Sequence, residues 1–302
     1  MNIGQKRSRN ITALNSLLGY SRQAFYQQKK AVEQTALQED LIIQQVLVIR
    51  NRQKKLGTRK LLHLLKPFLL AHEIQIGRDA LFELQASNNL LIRKRRRKAP
   101  RTTFSDHWMH KYPNLIVGMN ILAPNRLWVS DITYITLKDD FAYLSLVTDA
   151  YSRLITGYYL NKTLQAEGCV KALKMAIKQL PEGNMLIHHS DRGSQYCSTE
   201  YVEQLEDNHI AISMTQNSDP RENAIAERVN GILKQELLEV SYNSFELAKE
   251  GIRNAITIYN QERPHSSIGM LTPFQAHAIN GQLKKHWKNY YQTNKEKEAT
   301  MA

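Results

Sequence analysis

The 302-residue chain is 42% apolar and 23% charged, enough to bury one substantial core and one or two small ones, so two or three domains are expected. Its only cysteines, Cys169 and Cys197, form no CxxC pair and no alternating Cys/His set, which excludes a disulfide framework and a zinc module and fits a reducing cytosol. No run approaches the ~18 apolar residues of a membrane span, and no apolar signal-type stretch follows the basic start, so a cytoplasmic protein with no membrane partner is expected.

The net charge of +13 is unevenly distributed. Residues 1–112 hold 22 Lys/Arg against 7 Asp/Glu, whereas the remainder holds 19 against 21. An excess confined to the front third points to a polyanion, because each neutralised phosphate releases condensed counterions. A solvated basic surface would give the same composition.

In chain order, residues 11–30 read as two short helices separated at Gly19, the second capped by Ser21, and a short helical segment over 1–35 is expected to be of helix-turn-helix size. From Gln38 to Arg52 the set Leu41, Ile42, Val46 and Ile49 has helical spacing. Gly57-Thr58 opens another helix that Pro67 should disturb, and a third runs from Arg78 to Ala86. Three helices over 36–92 suit a helix-turn-helix-like DNA-binding domain, with a plain three-helix bundle as the alternative. The run Arg93, Lys94, Arg95, Arg96, Arg97 and Lys98 repels itself and reads as a phosphate-binding linker over 93–120, although a nuclear-import signal would look the same.

After Pro124-Asn125 three β-rich segments, Leu127–Ile135, Phe141–Val147 and Leu154–Leu160, predict an antiparallel meander. A helix over 164–180, a strand over 185–188, a helix over 199–208, a strand over 210–214 and a helix from about 222 follow. The order βββαβαβα predicts an α/β domain over 121–280, a ribonuclease-H-like mixed sheet flanked by helices and preceded by all-α helix-turn-helix modules. Phe245–Tyr259 reads as helix, and 281–302 as a basic, partly disordered tail.

Asp131 stands in the middle of an apolar, β-branched strand, where a charge is costly unless it is paired or metal-bound. Asp191 stands where the fourth strand ends, and in this topology the first and fourth strands are neighbours. Two adjacent carboxylates resist joint ionisation without a divalent cation, and such hard oxygen donors suit Mg²⁺ or Mn²⁺. The third acid should come from the covering helix, on which Asn223, Glu227, Asn230/Gly231 and Lys234 share one face. Glu222 is its rival, about 140° round the helix from Glu227. Asp149 fits an Asx-turn role, and the adjacent His188 and His189 point to opposite faces of a strand, so one ion is not easily shared between them.

These pieces carry a resemblance. The segments Trp128…Asp131-Ile132-Thr133-Tyr134, Asp149-x-x-Ser152-Arg153-x-x-x-Gly157, His189-Ser190-Asp191-Arg192-Gly193-x-Gln195-Tyr196, Asn223-Ala224-x-x-Glu227 and Tyr259-Asn260-x-x-Arg263-Pro264-His265, ending in Thr272-Pro273, resemble the second-reading-frame (OrfB) transposases of the insertion sequence 3 family, relatives of retroviral integrases. The chain departs from the common pattern at Glu222, often Asp, and at Ile268, often leucine.

The resemblance implies a DDE-type transposase acting on double-stranded DNA, with Asp131, Asp191 and Glu227 holding two Mg²⁺ or Mn²⁺ ions for in-line attack on phosphorus. It also implies that Lys234 and Asn223 contact DNA, that the protein assembles as a homo-oligomer on DNA, and that an upstream (OrfA) product joins it as fusion or partner. Arg192, beside Asp191, and Arg93–Lys98 are further DNA-contact candidates. Two other classes stand beside this one: a catalytically inactive or repurposed DNA-binding protein, and a ribonuclease-H-type nuclease acting on hybrids, against which the basic helical front third argues.

Overall fold

The structure is a computed structural model and describes residues 17, 19, 21–92, 107–183, 185–216 and 223–284. The basic run Arg93–Lys98, the rival acid Glu222 and most of the expected tail lie outside them. The chain divides into a helical unit, ending at Leu91, and a larger sheet-centred unit to which Arg52–Leu56 also belong.

The helical unit contains α1 (Arg22–Arg52), α2 (Thr58–Ala71) and α3 (Arg78–Ser87). Ser21 caps α1, its hydroxyl accepting from Ala24 N at 3.1 Å. The two helices expected at 21–30 and 38–52 are one, because no glycine or proline interrupts residues 22–52 and most of the intervening residues, Ala31, Glu33, Gln34, Ala36 and Leu37, are good helix formers. Position 35/36 therefore falls inside α1. Pro67 does not end α2: burial of Leu61, Leu65 and Leu69 on one stripe holds the turn on either side of it. Beneath the apolar core of Ile42, Val46, Leu65 and Leu81, the Arg50 guanidinium donates to Gln85 Oε1 at 3.0 Å and to Leu90 O, and Thr58 donates to the same Gln85 oxygen at 3.2 Å. Those bonds satisfy groups that burial would otherwise penalise.

The larger unit is built on a five-stranded sheet of order β3-β2-β1-β4-β5, from β1 (Leu127–Thr136), β2 (Phe141–Asp149), β3 (Ile155–Asn161), β4 (Ile187–Ser190) and β5 (Ala211–Met214). The first three strands pair antiparallel, whereas β4 runs parallel to β1 and β5 to β4. With α4 (Ala166–Ile177), α5 (Thr199–Asp207), α6 (Ala224–Ile232), α7 (Phe245–Gln261) and the short α8 (Pro273–His277), this is the expected ribonuclease-H-like arrangement. The fourth strand begins two residues later than its sequence suggests: Met185 is exposed, and pairing starts at Ile187.

Alternation along β1 divides the core in two. Trp128 and Ile132 point into one layer with Val147, Leu173, Leu186 and Tyr201 under α4 and α5. Ile135 points into the other with Leu144, Leu146, Val229, Ile252 and Tyr259 under α6 and α7. Gly157 on β3 allows α4 to lie close, since a Cβ there would stand 2.1 Å from the Ala172 carbonyl oxygen.

Candidate active site

The strand register brings the first two acids together. Trp128 pairs with His188 and Val129 with His189, so the register continued by two residues sets Asp131 level with Asp191 just past the end of β4. Asp131 also pairs with Leu146, whose side chain belongs to the α6/α7 layer, and period-two alternation therefore turns Asp131 and Thr133 toward α6. Asp191 bends the chain out of the strand, its Oδ1 accepting from Gly193 N at 3.1 Å.

Helix α6 supplies the remaining groups from one side. Asn223 stands at its N-cap position and donates from Nδ2 to Ser130 O at 3.0 Å, pinning the helix start to β1 beside Asp131. One turn in, Glu227 is exposed in the first turn of the helix. Asn230 donates from Nδ2 to Asp131 Oδ2 at 2.8 Å. Lys234 lies within a widened, π-helical turn (Leu233–Leu237) closed by Leu238 N donating to Leu233 O at 2.8 Å, and its Nζ donates to Thr133 Oγ1 at 2.8 Å. The helical face read from the sequence is thus laid against the strand face that bears Asp131. Thr133 is a site neighbour that the sequence does not single out; Asn230 lies on the face read from the sequence, but its bond to Asp131 is tertiary and has no sequence signal.

Burial and then the Asp191 charge push Asp131 up to about 7; bonds from Asn230 and from the Ile132 N–H pull it down, and Glu227 adds a smaller upward push. Desolvation also raises Glu227, although the residue as a whole is exposed. Among the described residues no three of His, Cys, Asp or Glu are gathered closely enough to hold a metal ion together. Asp131 and Asp191 are adjacent, and Glu227 stands further out, as mutually repelling carboxylates do.

The donor set nevertheless fits a divalent cation. Asp131 is buried in the negative field of Asp191 and Glu227, its oxygens are hard donors, and two buried amide oxygens beside it, Asn223 Oδ1 and Asn230 Oδ1, have no hydrogen-bond partner among the described residues. Acceptors placed there suit the hydrogens of water carried by an ion.

Other residues divide between site and scaffold. Arg192 is half-buried next to Asp191, its carbonyl oxygen 2.8 Å from His107 Nε2. Asp149 makes an Asx-type turn, its Oδ1 accepting from Ser152 N and Oγ, each at 2.7 Å, while Oδ2 accepts from Asn125 N. His188 and His189 do face opposite ways, His188 to Ser130 and Tyr201 and His189 to Ser213. Burial lowers His188 to about 3, so it is neutral. The Tyr259…His265 segment is scaffold: Asn260 bonds both backbone groups of Ile155, and buried Arg263 makes two 2.9 Å bonds to Glu236. Both cysteines are free and buried.

Comparison with known proteins agrees with this geometry. Two models of the integrase core domain match, over residues 122–220 and 208–273. A 31 kDa protein of insertion element IS600 from Shigella sonnei is 34% identical over 263 residues, covering 85% of this chain and 94% of the relative. A protein named as the transposase of insertion sequence IS986/IS6110 from Mycobacterium tuberculosis is 34% identical over 61% of this chain and 69% of its own. The transposase of insertion sequence IS3A from Escherichia coli is 34% identical over 51% of this chain and 54% of its own. With most of its length aligned to such relatives and the integrase core spanning the sheet and its helices, the chain belongs to the DDE transposases of the insertion sequence 3 family.

Proposed function

We propose that this transposase cleaves and joins DNA strands at the terminal inverted repeats of its insertion sequence, with Asp131, Asp191 and Glu227 as the catalytic acids. The observation that carries the reading is the Asp131–Asp191 pair across the parallel β1/β4 junction, with Asp131 held near neutrality by burial and by its neighbour's charge.

In this reading Asp131, Asp191 and Glu227 would hold two divalent cations, Mg²⁺ or Mn²⁺. When bound, the cations supply Lewis-acid activation of the attacking water or DNA 3′-hydroxyl and offset charge on the leaving 3′-oxygen. The protein's own part is placement. Asn230 fixes the Asp131 carboxylate, and Asn223 fixes the start of the helix that presents Glu227. Lys234 and Arg192 flank the acids as cations for DNA phosphate, and Arg93–Lys98 add sequence-independent phosphate contacts. The three-helix unit reads DNA ahead of the catalytic unit, the protein acts as a homo-oligomer on DNA in the bacterial cytoplasm, and an upstream reading-frame product joins it.

The test is incubation of purified protein with Mg²⁺ and duplex oligonucleotides carrying the terminal inverted repeats, with and without the upstream product. Cleavage at the repeat end and joining of the freed 3′-hydroxyl to a second duplex are expected. Absence of both, under either condition, would favour a DNA-binding protein without catalysis.

A further inference from the structure

Ser130 stands next to Asp131 and is tied on two sides. Its carbonyl oxygen accepts from Asn223 Nδ2 at 3.0 Å, at the start of the helix that presents Glu227. Its hydroxyl lies 2.7 Å from His188 Nε2 on β4, the strand that leads into Asp191. One residue therefore joins the three elements from which the acids come. The Tyr201 hydroxyl on α5 stands 2.9 Å from the same His188 nitrogen and also bonds the Ser130 hydroxyl, which closes the cluster from behind.

The parallel pairing of β1 with β4 ends at Val129 and His189, short of both acids. Just past that point the side-chain bond between Ser130 and His188 holds the two strands together. Packing alone does not call for it. His188, Ser130 and Tyr201 are buried beside the apolar layer of Trp128, Leu173, Leu186 and Met214, and His188 Nδ1 has no hydrogen-bond partner among the described residues. A buried ring nitrogen without a partner costs stability that an apolar side chain of similar size would not. Burial keeps His188 uncharged, so its contribution is a fixed bond and not a charge.

We propose that His188 is a positioning residue that fixes, through Ser130, the spacing of Asp131 and Asp191, and so makes the pair selective for Mg²⁺ over the larger Ca²⁺. The inference rests on the proposed cation site and deepens it. Mg²⁺ demands near-ideal octahedral geometry at ~2.0–2.1 Å, whereas Ca²⁺ accepts about six to eight oxygens at ~2.3–2.6 Å in flexible arrangements. Loosening the acids should therefore weaken Mg²⁺ far more than Ca²⁺.

The test uses the full-length protein without DNA, melted at about pH 8 in increasing MgCl₂ or CaCl₂, with Ser130→Ala, His188→Leu and His188→Gln beside wild type and Asp131→Asn as the blank. In chelator His188→Leu should melt no lower than wild type. Ser130→Ala and His188→Leu should each need about tenfold more Mg²⁺ for the half-maximal rise in melting temperature, yet less than about threefold more Ca²⁺. His188→Gln, whose amide reaches Ser130 and Tyr201 where the imidazole nitrogen does, should return to the wild-type Mg²⁺ midpoint. An unchanged Mg²⁺ midpoint in Ser130→Ala would overturn the inference. So would equal weakening of both cations, which would make the cluster merely structural. Ser130→Ala keeps the bond between His188 and Tyr201, so the comparison stands even if His188→Leu does not fold. A wild type that neither cation stabilises would overturn the cation reading itself and this inference with it, which distinguishes the two failures.

Discussion

Asn230 donates from Nδ2 to Asp131 Oδ2 at 2.8 Å, so the helix that presents Glu227 also fixes the carboxylate at the centre of β1. A partner of this kind sets the orientation of a metal-binding carboxylate, and its removal costs ~10–100-fold in metal affinity or activity. Asn230→Ala should therefore need more Mg²⁺ to reach half-maximal cleavage, while its DNA affinity in chelator stays that of wild type. An unchanged Mg²⁺ dependence would remove Asn230 from the site.

Asp131 gives the protein a defined pH response. Its pKa is raised from 3.8 to about 7 on folding, so between those values the folded state binds more protons than the unfolded chain, and stability is lost as pH rises through the folded value. Thermal melts in chelator should fall between about pH 4 and pH 7. Asp131→Asn should flatten this slope and melt higher than wild type at pH 8. With the ionised pair as the proposed cation site, Mg²⁺ should restore wild-type stability at pH 8 and leave Asp131→Asn largely unaffected.

Gly157 tests the packing that holds the sheet to its helices. Gly157→Ala would press a methyl group against the Ala172 carbonyl, and overpacking of this kind costs about 1–3 kcal/mol. A lower denaturant midpoint with an unchanged slope is expected. An unchanged midpoint would show that α4 shifts freely away from β3.

Arg263 is fully buried and held by two bonds to Glu236. Arg263→Ala leaves that acid without its cation and should destabilise the fold by ~3 kcal/mol. The salt dependence of DNA binding should not change, as it would if Arg263 touched phosphate.

Much of this was legible in the sequence, for identifiable reasons. The first strand is a run of apolar and β-branched residues, so a charge at position 131 stood out, and the turn at Asp149 was readable because Asp and Ser at that spacing bond locally. The continuous α1 was not readable, because Val32 and Leu37, between its two expected halves, are solvent-exposed and mark no buried face. Persistence of α2 through Pro67 was also hidden, since burial of Leu65 and Leu69 is a tertiary effect. At the site, the shared face of Glu227 and Lys234 followed from helical spacing, whereas the bonds from α6 to Asp131 and Thr133 depend on how the helix lies on the sheet.

The most direct measurement is cleavage and joining of terminal-repeat duplexes in Mg²⁺ by Asp131→Asn, Asp191→Asn and Glu227→Gln beside wild type, with melting curves and DNA affinity recorded for each. The assignment of the three acids predicts that every variant stays folded and binds the duplex yet loses cleavage and joining together, by ~10³-fold or more. Retained activity in any one of the three, at wild-type stability and DNA affinity, would contradict it.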